Sequence, residues 1–407
     1  MIKRTFKAMG MLLIFGVSLG SIYLVNLFLM KPVSVDHFLG KEFLIGLADS
    51  PESMTYIGIF DQFNWITKHN SKLSISSPED LQSDIKDAKK TLRTLNKYKD
   101  SSLSDNQKIT KSIAIFDTEN NLKQLEEFPY HDYPLNQVQG AHHNVISFMS
   151  DMHPIRNLSE AKDFIKRTNL VIDVYSGLLG WLERQASEGI YAPKFVYDHL
   201  IKQLNELINY SIEEHPLYTQ FIKKAELLNI SDDELASLNA DLKSSIENSV
   251  TPGFVLLRDF MVTTKDNANP HHGIWSQPNG DEFYKLRIRS YTTTDYSPQK
   301  IHDLGISEVA RISSRMKEIL VSLGYDASKT AGTLMNELNE DPSMLYADTP
   351  DRKKIVVQDY MDMVAEATEG IKGYFHTMPK SPVTVIAAPE YSEKTAPGGW
   401  YQSPALD

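Results

Sequence analysis

Apolar residues recur along this chain at three- and four-residue steps, and capping signals divide them into successive helices. In SPEDLQSDIKDAKKTLRTLNKYK (77–99), Leu81, Ile85, Ala88, Leu92 and Leu95 fall on one side of a helix that Ser77 and Pro78 can start. SDNQKITKSIAIFDTENNLKQLEEF repeats the logic after Ser104. NLSEAKDFIKRTNLVIDVYSGLLGWLERQASEGI predicts one long helix, capped by Asn157 or Ser159 and stopped at Gly189. APKFVYDHLIKQLNELINYSIEEHPLY and SDDELASLNADLKSSIENSVTPGFVLLRDFM continue the pattern. EFYKLRIRSYTTT reads as a helix ending before its threonines. A further helix follows, with Ser297 as N-cap and Pro298 in its first position. Ile301, Leu304, Val309, Ile312, Met316 and Ile319 share one of its faces, and Gly305 is a soft point. Only PVTVIAAPEY (382–391) has the β-branched density of a strand. The expected fold is mainly α: long packed helices forming a large helical domain, with one small β element near 382–391, after an N-terminal membrane helix.

The membrane helix comes from the start of the chain. MIKRTFK is basic, and residues 9–30 are 22 positions without a charge. About 20 apolar residues cross a bilayer, whereas a secretory signal core has roughly 7–15 and ends at a small-x-small cleavage site. No such site stands out near Met30 or Lys31. Residues 1–8 are therefore expected to be a cytoplasmic tip, 9–30 an uncleaved transmembrane signal anchor, and 31–407 an exported helical domain. The expected location is the inner membrane, single-pass, with the bulk of the chain periplasmic. A cleaved signal and a buried soluble helix are the alternatives.

Composition narrows the chemistry. With 41% hydrophobic and 23% charged residues, the 407-residue chain is of ordinary globular type. It has no cysteine, so disulfides and thiolate ligands are excluded. A net charge of −11 argues against nucleic acid as a partner, because phosphate binding needs clustered Lys and Arg. None of the twelve histidines forms a His-Glu-x-x-His pair. His142 and His143 are neighbours expected to point in different directions on a helix. His271 and His272 sit together in the loop NANPHHGIW and are the candidate metal ligands, although no carboxylate–histidine set accompanies them. There is no Gly-x-Ser-x-Gly elbow, phosphate loop or dinucleotide fingerprint. Thr292, Thr293, Thr294 and Asp295 stand just before the Ser297 cap. Their oxygens can bond the turn backbone, or they can face a polar cleft.

Several stretches resemble a bacterial family known as domain of unknown function 885. They are NQVQGAHHNVISFMSDMHPIRNLSEAKDFIKR, GIYAPKFVYDHLIKQL, GIWSQPNGDEFYKLRIRSYTTTDYSPQKIHDLGISEVARISSRM and SPVTVIAAPEYSEKTAPGGWYQSPALD. They run in family order from about Phe38 to Asp407. The resemblance implies a zinc-metallopeptidase-like hydrolase acting on peptides. It also implies that the His-Glu-x-x-Pro-Gly-His-His ligands and the general base lie beyond Asp407. On that expectation the 407 residues alone hold no cofactor and are inactive, and zinc belongs to the full-length protein. What would remain here is cleft wall: Arg287 and Arg289 to receive a substrate carboxylate, Tyr291, Thr292, Thr293, Thr294 and Asp295 beside them, and Tyr401 brought to the same place. The alternative reading is a non-catalytic periplasmic binding or scaffold protein.

Overall fold

The computed structural model describes residues 23, 25–27, 30–138, 140–387 and 398–401. Most of the expected membrane segment therefore lies outside the described residues. Among those described, no helix is long and apolar enough to cross a membrane. The chain divides into two units, 1–293 with 405–407, and 294–404.

The first unit begins with α1 (Val35–Ala48), α2 (Pro51–Ile57) and the short α3 (Asn64–Thr67). The hairpin α4 (Leu81–Leu95) and α5 (Asp105–Glu127) follows. Its caps are those the sequence announces. The Asp80 carboxylate accepts from Ser77 N at 2.8 Å, and Ser104 with Gln107 forms a reciprocal capping box. Leu81 and Leu95 are buried, with Ile85, Ala88 and Leu92 half-buried between them, so the predicted stripe is the inner face of α4. Val35, Phe38, Leu95 and Tyr98 form a small core joining α1 to this hairpin.

The main core lies in α6 (Ala141–Ser147), α7 (Leu158–Asn169), α8 (Val171–Ser187), α9 (Lys194–Asn209), α10 (Pro216–Ala225), α11 (Asp232–Ser245) and α12 (Thr251–Thr264). Phe164, Tyr175, Leu200, Leu204, Phe221 and Phe254 are fully buried in it. α12 packs on both α8 and α9, and α7 packs on α11. Gly253 lets α12 close on α8, since a Cβ there would stand 2.7 Å from the Tyr175 ring. α13 (Gly280–Thr292) ends the unit and buries Phe283 and Leu286 with Phe128.

The predicted helix from 157 to 189 is in fact two. Asn157, not Ser159, is the cap, its side chain accepting from Glu160 N at 3.0 Å. The run then breaks at Leu170. The break persists because another segment satisfies it: Ser249 Oγ accepts from Ile172 N and donates to Asn169 O, both at 3.0 Å. Ser249 belongs to a π-helical turn, Ile246–Val250, that joins α11 to α12 just ahead of Pro252. A proline cannot donate within a helix, and a π turn accommodates such a defect. Two irregularities thus meet at one hydroxyl. A second π turn, Phe148–Met152, follows α6, and Lys224 Nζ donates to Ser150 O just there at 2.7 Å.

The second unit contains α14 (Pro298–Ser322), α15 (Ala331–Glu340) and α16 (Arg352–Gly370). Ser297 caps α14 by accepting from Lys300 N at 3.2 Å, with Pro298 first, as predicted. The predicted inner face of α14 is not buried. Leu304, Val309, Ile312 and Ile319 are exposed, and Ile301 and Met316 are half-buried. Only Leu320 is covered, where the chain turns back towards α15. Periodicity marks an apolar face but does not supply the element that covers it. The small β element is also a correction. Residues 382–387 form no strand and 388–391 lie outside the described residues. β-branched residues make a strand only where a partner completes the ladder, and the isolated bridges here pair Pro193 with Asn269 and Lys372 with Phe375.

Candidate functional site

The threonine stretch straddles the end of α13. The helix runs one residue further than predicted, because the Thr292 hydroxyl donates back to Ile288 O at 2.8 Å. Thr293 then closes the helix in the left-handed region, with φ 54° and its N–H on Arg289 O at 2.9 Å. Glycine is the usual residue for that cap, so a β-branched side chain there is strained. In the second unit, Thr294 Oγ1 accepts from Tyr296 N at 3.4 Å. Thr292 and Thr294 thus both serve the local backbone, and Thr293 and Asp295 are exposed.

The two arginines turn towards α5 and its following loop. Arg287 stacks over the Tyr291 ring at 4.9 Å, donates to the Tyr291 hydroxyl at 2.8 Å and stands 3.8 Å from Asp132 Oδ2. Arg289 stacks over Phe116 at 4.9 Å and donates to Asn120 Oδ1 at 3.2 Å. Tyr291 is 77% exposed. Tyr401, in the second unit, is also exposed. The sequence-predicted residues of the first unit therefore lie along the last turns of α13, Arg287 beside Tyr291 and Arg289 against α5.

His271 and His272 are exposed and face different rings. His271 lies 5.0 Å from Trp275, and His272 meets Phe195 edge-on at 4.9 Å. His142 and His143 correct an expectation. Their rings do not diverge but lie 4.1 Å apart, with His142 Nε2 3.3 Å from Gln203 Oε1. Burial, and then the neighbouring His143, push the His142 pKa down to about 3. Among the described residues no group of three or more His, Asp or Glu side chains could hold a metal ion.

Sequence reasoning missed a buried polar node around Arg167. This side chain is fully buried on α7. Its Nε donates to Lys72 O at 2.7 Å, Nη1 to His153 Nδ1 at 2.9 Å, and Nη2 to Thr55 Oγ1 and His69 O, each at 2.7 Å. The guanidinium lies 4.9 Å from the centre of the Phe148 ring. The contacts fix a tautomer: His153 Nδ1 accepts, so Nε2 carries the proton and donates to Glu160 O at 3.1 Å. A neutral His153 is what its surroundings favour, since burial and then the Arg167 charge lower its pKa to about 3. Burial lowers Arg167 itself to about 10. Beside the node, His69 Nε2 lies 3.3 Å from Asp61, which also accepts from Arg156, and Arg156 pairs in turn with Glu160. The legible signal was register. Arg167 follows Phe164 by three residues and so shares a face with a core position.

Open space lies elsewhere. A cavity of about 20 Å³, bounded by Tyr133, Leu182, Gln185, Tyr197 and Met261, is about water-sized. A shallow groove of about 520 Å³ runs along α4 and α5 past Asp84, Asp87, Thr91 and Asp117. Neither includes a residue of the 287–293 patch.

A family model described as "Bacterial protein of unknown function (DUF885)" matches residues 51–407. No curated protein matches the chain. Four solved chains do. One, titled "The crystal structure of the putative lipoprotein from Colwellia psychrerythraea", superposes with a TM-score of 0.81 at 25% identity. The match covers 88% of the present chain and 62% of that one, so this chain spans less than two thirds of that structure's length.

Proposed function

This chain belongs to the bacterial DUF885 family, and on that premise we propose that it is an exported, membrane-tethered, peptidase-like hydrolase whose helical body forms a wall of the peptide-binding site. The lipoprotein title of the solved neighbour supports export, and the uncharged run at 9–30 supports the tether. The observation that carries the peptide-binding role is the patch on the last turns of α13. There Arg287 pairs with exposed Tyr291, Arg289 turns to Asn120 on α5, and the helix closes on a strained, exposed Thr293. The Arg287 guanidinium beside the Tyr291 phenol suits a peptide carboxylate, and threonine suits the peptide backbone. The described residues do not fit a resident zinc ion, so no step of hydrolysis is assigned to them.

A second reading, a non-catalytic periplasmic binding or scaffold protein, is favoured by the contacts the arginines and Thr292 already make within the chain. The two part in one experiment. The native protein is captured from source membranes with an antibody to this chain and assayed on mixed peptides, with chelator and then with added zinc. The hydrolase reading expects cleavage that chelation removes and zinc restores, with KM raised by Arg287→Ala. Peptide binding without cleavage would leave the scaffold reading standing.

A further inference from the structure

α1 buries part of its apolar surface and leaves part of it uncovered. Its inward side carries Val35, Phe38 and Leu47, and also Lys41, which is 9% exposed. Lys41 lies 5.2 Å over the Phe38 ring and pairs with Glu42 at 2.8 Å. Exposed on α1 are Asp36 and His37 in its first turn, and then Gly40, Phe43, Leu44, Ile45, Gly46 and Ala48. The acids of α1 are engaged: Asp36, in the first turn, accepts from Gln107 Nε2 at 2.6 Å, and Glu42 accepts from Thr91 at 3.3 Å. A helix on a water-facing surface normally turns its charges out and its large apolar residues in. Here three consecutive large apolar residues, 57%, 50% and 43% exposed, are left uncovered on successive sides of the last turns, while a lysine is folded under.

The position of α1 says what it faces. The end of the uncharged 9–30 run is tied to its first turn. Asn26 Oδ1 accepts from Val33 N at 3.0 Å, its Nδ2 donates to Lys31 O at 3.1 Å, and the Tyr23 ring meets His37 edge-on at 5.4 Å. Whatever holds residues 9–30 therefore lies within a few residues of α1. Tethering of that kind keeps the local concentration of the same surface high, so a small apolar face suffices for contact.

We propose that α1 lies in the lipid interface of the membrane that holds residues 9–30, with Leu44 inserted among the acyl chains and Phe43 and Ile45 flanking it. The inference rests on the tether proposed above. It adds that the body is held against the bilayer in one orientation. An interfacial helix of this type buries its apolar face by about 5–10 Å.

Because the chain has no cysteine, Leu44→Cys creates a unique labelling site, and Leu227→Cys, at a position 85% exposed in the same unit, is the control. The full chain is reconstituted into vesicles of phosphatidylethanolamine and phosphatidylglycerol and carries a nitroxide at one site or the other. Collisions with lipid-soluble oxygen and with an aqueous nickel chelate are then compared. The oxygen-to-nickel ratio is expected to be higher at 44 than at 227 by about an order of magnitude. If position 44 meets the nickel chelate as freely as 227, while the protein stays with the vesicles through an alkaline wash, the tether stands and the interfacial helix is wrong. Shielding of 44 from both reagents would mean that protein covers it, as in a second copy, and would also overturn the proposal. Release of the protein by the wash would refute the tether itself.

Discussion

Arg167→Met is the sharpest test of the buried node. The substitution keeps an unbranched chain of similar length but removes every donor. The acceptors do not suffer equally. Thr55 Oγ1 loses a donor but still donates its own proton towards Pro51 O and Asn70 Oδ1, and His69 O keeps Lys72 N at 3.1 Å. Lys72 O and His153 Nδ1 are left without the donor that Arg167 gave them. A buried acceptor left unmet costs about 1–3 kcal/mol, so the two together cost roughly 2–6 kcal/mol, and relief of the buried charge offsets part of it. A net loss of about 3 kcal/mol lowers the Tm of a domain this large by roughly 6–10 °C. Arg167→Lys should recover little, because an ammonium cannot span four acceptors spread around a planar fork. Arg156→Met is the control. It also breaks close ion pairs, but its side chain is 58% exposed, so about 1 kcal/mol or less is at stake. Thermal melts by circular dichroism, at one pH and salt concentration, compare the three. An Arg167→Met protein that melts within about 2 °C of the parent, or no lower than Arg156→Met, would refute the reasoning.

Three further outcomes follow from particular contacts. Ser249→Ala leaves Ile172 N and Asn169 O unpaired and should lower stability by about 1–3 kcal/mol in denaturant titration; a neutral effect would mean that water replaces the hydroxyl. Thr293→Gly relieves the strained cap and should stabilise α13 by about 1 kcal/mol in the same titration, with lower Tm the contrary result; if the α13 patch also binds peptide, affinity falls while Tm rises. His142 and His153 are held near about 3 and His215 near about 4, mainly by burial. The unfolded chain therefore binds more protons between those values and about 6.5, so stability is complete above pH 6.5 and falls as pH drops, by about 1.4 kcal/mol per pH unit for each histidine. His215 Nδ1 caps α10 by accepting from Leu217 N, so His215→Asn can keep the cap while removing one proton from the measured slope; an unchanged slope would contradict the assignment.

Helices were legible in the sequence wherever local signals and burial agreed. α4 and α5 came out with their caps because serine, proline and a trailing acid or amide act within one turn. The break at Leu170 was not legible, since the group that stabilises it, Ser249, is 80 residues away from Asn169. For the same reason α14 looked like a core helix, its periodicity giving a face and no partner. The α13 patch was found as a composition of threonine and arginine. Which hydroxyls the backbone had already taken needed coordinates. Arg167 was passed over because a single arginine in a helix usually reaches water, and only three-dimensional proximity shows the carbonyls gathered around it.

The Arg167 node also sets an order of events in biogenesis. Lys72, which accepts from it, precedes it by 95 residues, and Pro51, whose carbonyl lies 3.3 Å from Nη2, by 116. At about 5–20 residues per second, the segment from α2 to Lys72 leaves the ribosome roughly 5–20 s before its clasp exists. During that interval it has neither its hydrogen-bond donor nor the core behind it. A chain sent across a membrane from its N-terminus would expose the same segment first on the far side. Chaperones and proteases would meet it there, so the vulnerability of this protein in the cell is set by the delay between two stretches of sequence as well as by the depth of its folded minimum.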